Sequence, residues 1–144
     1  MQKKKIRRVF VQGTYDILNC GHCRSLKELK DKFGYVIVGL NSDVLVRIHK
    51  REPIIPFLQR KEILESLRWV DEVIKCDDPM AIVYLKQTNA DVFASVSEWI
   101  DRQKEAIDWI KSKGGVFYPL TYFPDDGVIL SSSDIRRRVI EGAK

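Results

Sequence analysis

The stretch Asn19-Cys20-Gly21-His22-Cys23 holds two kinds of residue that can do chemistry, and they point to different reactions. Read as Cys-Gly-His-Cys, it is a dithiol whose first thiolate, at a helix N-terminus, would have a lowered pKa and could exchange disulfides. Read from Gly13, it is a phosphate site. A glycine turn closing a strand lets the backbone approach a phosphate, and the next helix offers its first N–H groups to it. On this second reading the glycine turn and the start of the helix are the working parts. The dithiol reading finds little support elsewhere: Asn19 stands where a tryptophan would be expected, and Pro119 closes a strand instead of opening one. A zinc site would need a second cysteine pair, and the other histidine, His49, is remote in sequence. Small cysteines packing a helix start are the common outcome for such residues.

Other groups fit a phosphate chemistry. Ser131, Ser132 and Ser133 precede an amphipathic segment; one serine suffices for an N-cap, so the others are hydroxyl donors for a second phosphate contact. Lys50 and Arg51 lie in a charged stretch, residues 48–56, that also carries two prolines and is read as a mobile loop. Asp16 and Asp43 follow strands, where they orient an acceptor or cap a turn. Arg60 and Arg68 are spaced to share one face of a helix, two turns apart.

These side chains must be positioned by the elements around them, and the hydrophobic pattern predicts a regular alternation. Strands are expected over residues 6–11, 35–40, 71–75, 91–95 and 115–119, and helices over 21–32, 57–70, 80–86, 99–113 and 132–141. The run YVIVGL has the continuous apolar character of a strand buried on both faces. Strand–helix alternation implies an α/β fold: a Rossmann-like, doubly wound parallel sheet with helices on both faces, in a single domain over residues 1–144. In such sheets the ligand sits beyond the carboxyl ends of the strands, where the strand order reverses. The segments to watch are therefore residues 13–22, 41–43, 95–99 and 122–133.

Composition bounds the rest. The chain has 144 residues, 44% hydrophobic and 31% charged, as in a globular domain, and its net charge of +5 by itself suits small anions, nucleic acid or no particular partner. Neither nucleic acid nor a membrane is expected as a partner. The N-terminal basic cluster is followed by too short an apolar run for a signal peptide, so a cytoplasmic protein is expected. Three cysteines do not make a disulfide framework.

The ordered set of motifs is similar to that of the cytidylyltransferase-like nucleotidyltransferases. Gly13-Thr14-Tyr15-Asp16 through Gly21-His22 resembles their G-T-F-D-x-x-H-x-G-H. Asn41-Ser42-Asp43 resembles x-S/T-D, and Gln59-Arg60 with Arg68-Trp69-Val70-Asp71 resembles Q/H-R…R-x-V-D. Asp91-Val92-Phe93 ending at Glu98-Trp99 resembles D-V-F…G-D-D-W, and residues 130–135 resemble I-S-T-T/S-x-I. The resemblance implies transfer of a nucleotidyl group from CTP or ATP to a small phosphorylated acceptor, such as glycerol 3-phosphate or a sugar phosphate, with release of pyrophosphate. It assigns His22, Lys50 and Asn19 to catalysis. Gly13, Thr14, Tyr15, Gly21, His22, Glu98, Trp99, Ser131, Ser132 and Ser133 go to nucleotide binding, and Asp16, Asp43, Arg51, Arg60 and Arg68 to the acceptor. Mg²⁺ would arrive with the triphosphate, without a dedicated set of protein ligands, and the protein would be a homodimer.

The chain departs from the pattern in three places. Asn19 replaces the first histidine; losing one phosphate donor costs roughly 10²-fold, so a nucleotide-binding relative with weak or no transferase activity is the alternative. The glycine before D-D-W is absent from Ala94-Ser95-Val96-Ser97-Glu98-Trp99, and no arginine accompanies Thr121. The chain's size, Arg60 with Arg68, and Trp99 resemble the cytidylyltransferases of glycerol 3-phosphate. Glu52-Pro53-Ile54-Ile55-Pro56 with Gln59-Arg60 is equally similar to the adenylyltransferases of heptose 1-phosphate; CTP is the expected donor.

Overall fold

Valine, isoleucine and phenylalanine set the strands, and polar caps set the helices between them. In the structure, a computed structural model, residues 5–120 and 131–142 are described, apart from the side chains of residues 97–99. The elements are β1 (Arg7–Gly13), α1 (Cys20–Phe33), β2 (Gly34–Asn41), α2 (Asp43–His49), α3 (Phe57–Glu65), β3 (Glu72–Cys76), α4 (Ile82–Thr88), β4 (Val92–Val96), α5 (Lys104–Ser112), β5 (Val116–Leu120) and α6 (Ser132–Glu141). A 3-10 segment, Ser97–Gln103, joins β4 to α5.

The five strands form one parallel sheet in the order β3-β2-β1-β4-β5. The order reverses beside β1, so the crevice expected of a doubly wound sheet opens at the carboxyl ends of β1 and β4. On one face, Leu26, Leu29 and Phe33 of α1 pack on Val9, Val11, Val36 and Val38. On the other, Leu85 of α4 and Ala106 and Ile110 of α5 pack on Phe10, Ile37 and Phe93. The predicted fold class is therefore the observed one. Gly34 stops α1 in the left-handed region, at φ 96°, and lets the chain enter β2 at once.

Three element expectations need correction. Residues 43–49 form α2, a helix absent from the sequence-based expectation. Ser42 caps it by accepting from Leu45 N, and Leu45 and Val46 bury its inner face. α3 ends at Glu65, short of residue 70, and Ser66 at its C-cap donates from Oγ back to Ile63 O. Leu64 is buried as expected, but Ile63 faces solvent. The helix expected over residues 99–113 is divided into the 3-10 segment and α5.

Candidate active site

β1 delivers Gly13 to the sheet's carboxyl edge, and the chain turns sharply after it. Tyr15 takes a left-handed backbone at φ 47°, rare for a bulky residue, and its ring folds back over Gly13. A Cβ on Gly13 would stand 2.7 Å from that ring, so any other residue there must push the Tyr15 ring aside. The strand ends are tied together: Gln12 Nε2 donates to Asn41 Oδ1 and to Asp78 O, both at 2.9 Å, and Asn41 Nδ2 donates to Thr14 Oγ1 at 3.1 Å.

Asn19 caps α1. Its Oδ1 accepts from Gly21 N at 3.0 Å and His22 N at 3.4 Å, and its Nδ2 donates to Ile17 O. Two of the first N–H groups of α1 are thus satisfied within the protein. Asn19 does not line the cavity; its side chain is used as the cap. Gly21 serves the same cap and likewise does not line the cavity.

His22 does line it. Asn19 N donates to His22 Nδ1 at 3.3 Å, which leaves the proton on Nε2. The ring packs against Tyr15 with centroids 5.0 Å apart. Burial first, and the nearby Lys50 charge second, pull the His22 pKa down to about 4. At neutral pH it is an uncharged donor. Lys50, at the C-terminal cap of α2, lines the same cavity.

Asp16 lies at the cavity edge with its carboxylate wholly engaged, 2% exposed. It accepts from Arg51 Nη1 at 2.5 Å, from Ile55 N at 2.8 Å and from Ile54 N at 3.0 Å. Burial alone would raise its pKa, but the Ile54 and Ile55 amides and the Arg51 guanidinium outweigh it and hold the carboxyl below its usual value. The stretch read as a mobile loop is thus tied down by Asp16, and Asp16 and Arg51 serve each other.

Arg60 is 1% exposed and lies beneath the site. It donates to Ile55 O, Thr14 O, Asn41 O and Asp43 Oδ1 at 2.7–2.9 Å. Asp43 also accepts from Phe57 N at 3.2 Å. Neither Arg60 nor Asp43 lines the cavity, where the sequence reading had put them against the acceptor. Arg68 is exposed in the turn after α3, stacked over Trp69, and also off the cavity. Because α3 ends early, Arg60 and Arg68 do not share a helix face.

Across the crevice, α6 presents its N-terminus. Ser131 is the cap, exchanging hydrogen bonds with Asp134. Ser132 and Ser133 line the cavity, and Ser132 Oγ donates to Ile17 O at 3.2 Å, docking α6 on the β1–α1 loop. So one serine caps and two face the site. Arg136 and Arg102 line the cavity too and were missed. Arg136 had a readable signal, one helical turn beyond Ser132; Arg102 had none. The side chains of Glu98 and Trp99, and the segment 121–130, lie outside the described residues.

The cavity encloses about 820 Å³. Its lining mixes cationic and hydroxyl groups (Lys50, Arg136, Ser132, Ser133) with an apolar stretch, Pro79, Met80 and Ala81, and Phe93. Such a space is of the size and mixed polarity of a small-molecule site.

A family model described as Cytidylyltransferase-like matches residues 10–138. Glycerol-3-phosphate cytidylyltransferase of Staphylococcus aureus is 32% identical over 120 residues, which cover 78% of this chain and 83% of that one. FAD synthase of Thermococcus kodakarensis is 39% identical over 95 residues, 65% of this chain and 64% of that one. The chain spans as little as 18% of some curated relatives it matches and 94% of others. The crystal structure of a lipopolysaccharide core biosynthesis protein from Thermoplasma volcanium shares the fold, with a TM-score of 0.72 and 22% identity over 83% of this chain and 99% of that one. The chain belongs to the cytidylyltransferase-like family. Its relatives include nucleotidyltransferases that differ in the acceptor their names imply.

Proposed function

We propose that the chain transfers a cytidylyl group from CTP to a small phosphorylated acceptor, such as glycerol 3-phosphate or a sugar phosphate. An acceptor phosphate oxygen attacks the α-phosphorus, and the bond from that phosphorus to the bridging oxygen breaks. Pyrophosphate leaves with the electron pair. The nucleophile is already an anion, so no general base is needed; alignment and neutralisation of phosphate charge carry the reaction. The observation that supports this most is His22: a neutral imidazole with Nδ1 engaged and Nε2 left to donate, in the same cavity as Lys50. Thr14 and Tyr15 shape the floor under the nucleotide, while Ser132, Ser133 and Arg136 hold phosphate from the far side. Mg²⁺, carried by the triphosphate, would supply neutralisation of its charge. Asp16 and Asp43 are both spent on protein partners, which fits a cation carried by the nucleotide.

The apolar wall favours a second reading, in which ATP is the donor and the acceptor is a phosphorylated compound with a flat ring, as FMN is to FAD. Pyrophosphate release separates the two, measured with CTP and with ATP against glycerol 3-phosphate, sugar phosphates and FMN. Nucleotide binding without pyrophosphate release from any acceptor would instead identify a binding protein.

A homodimer is part of the same reading. Val44 and Ile48 of α2, with Ile54 and Leu58, leave apolar surface exposed beside the site. Light scattering on the purified protein tests it. No helix among the described residues is long and apolar enough to cross a membrane, and a cytoplasmic location remains part of the proposal.

A further inference from the structure

The nucleotide site does not account for the two thiols that flank His22. Cys20 opens α1 and is exposed, and Cys23 closes the same turn, half-buried. Residues three apart in a helix have Cα atoms about 5 Å apart on one face, within the range a disulfide spans. Their Cβ atoms, however, lie roughly 5–6 Å apart, whereas a disulfide draws them to about 4 Å. Closing the bond must therefore tighten the first turn of α1.

That turn is the one that holds His22. Asn19 O accepts from Cys23 N at 3.1 Å, Asn19 Oδ1 accepts from His22 N, and Asn19 N donates to His22 Nδ1. A pull between residues 20 and 23 acts across all three bonds. A disulfide that strains its helix is also easily reduced, which makes it reversible.

We propose that Cys20 and Cys23 are a reversible thiol pair that a low-molecular-weight disulfide oxidises, displacing His22 from its position in the cavity. The Cys20 thiolate attacks one sulfur of the reagent, and a reagent thiolate leaves with the electron pair. The Cys23 thiolate then attacks Cys20 Sγ and expels the second reagent thiolate. Two electrons pass to the reagent, and the two cysteine protons end on its two thiols. Cys20 takes the first step because it is exposed. Burial, and then the neighbouring Cys20, raise the Cys23 pKa, so it follows once the mixed disulfide is in place. The consequence for catalysis rests on the nucleotidyl-transfer reading; the thiol chemistry does not.

The test treats the intact protein with oxidised glutathione and reads three quantities. Peptide mapping should find the segment with residues 20 and 23 lighter by two hydrogens. The imidazole resonance of His22, one of only two histidines, should move while that of His49 stays. Pyrophosphate release should fall about tenfold or more and return with dithiothreitol. Cys20→Ser and Cys23→Ser should keep the reduced protein's activity and lose the response. Unpaired thiols, an adduct on Cys20 alone, or a disulfide that leaves the His22 resonance unmoved would each overturn the proposal. If the reduced protein releases no pyrophosphate with any acceptor, the functional reading fails, while the peptide map and the resonance still decide the thiol pair.

Discussion

Asn19 and His22 clasp each other across the first turn of α1: the Asn19 amide oxygen accepts from His22 N at 3.4 Å, and Asn19 N donates to His22 Nδ1 at 3.3 Å. It is a capping box with histidine in the place usually taken by glutamate or glutamine. Asn19 thereby selects the His22 tautomer while remaining outside the cavity.

Asn19→Ala should consequently act on stability more than on rate. Loss of an N-cap costs about 1 kcal/mol, read as a lower thermal midpoint. The rate of pyrophosphate release should fall less than tenfold. A loss near 10²-fold, the size expected for a phosphate donor, would place Asn19 in direct contact with substrate.

His22 predicts a pH signature. Its folded pKa of about 4 lies below the ordinary 6.5, so between these values the unfolded chain binds more protons than the native one. Stability should be fully present above pH 6.5 and decline as pH falls toward 4, by on the order of 3 kcal/mol. Denaturant unfolding of wild type and His22→Gln across that window checks it; the variant should lack this slope.

Asp16 anchors the segment that carries Lys50. Asp16→Asn removes the charge facing Arg51 and turns an N–H₂ toward amide donors, at a cost of about 2–4 kcal/mol. Because the native pKa is lowered, the charge contributes stability above the unfolded carboxyl pKa, and that contribution is lost as pH falls through the folded one. The variant should flatten the acid limb of the stability profile and raise KM for nucleotide, measured by urea unfolding and initial rates.

Arg60 and Arg68 should behave oppositely. Arg60→Met leaves three carbonyls and Asp43 without their donor, a loss of about 3–5 kcal/mol, seen as poor solubility or a much lower midpoint. Arg68→Ala should change activity less than twofold, since it lies off the cavity. A selective rise in acceptor KM for Arg68→Ala would contradict this placement.

The strands were legible because burial on both faces leaves an unbroken apolar run, as at β2, and α6 because its cap and amphipathic face are both local signals. α2 was hidden by its length and by the charges at its end, although Ser42 and Leu45 carried the cap. Arg60 could not be read at all. Whether an arginine on a helix meets solvent or carbonyls depends on which loops fold over it, and Thr14, Asn41 and Ile55 come from three separate segments. The placement of His22 beside the turn after Gly13 was legible in the sequence, whereas Asn19's local role as a cap was masked by its place in the motif. Arg102 reaches the cavity only through the path of the 3-10 segment, which no short-range pattern announces.

The central claim is that His22, as a neutral donor, stabilises charge on the transferred phosphate. The most direct measurement is pyrophosphate release by wild type and His22→Ala with CTP or ATP and the acceptor panel, alongside the thermal shift each nucleotide produces. A fall of about 10²–10³-fold in kcat, with the nucleotide shift retained, is the predicted result. Unchanged kcat in His22→Ala, or a wild type that binds nucleotide yet releases no pyrophosphate with any acceptor, would contradict it.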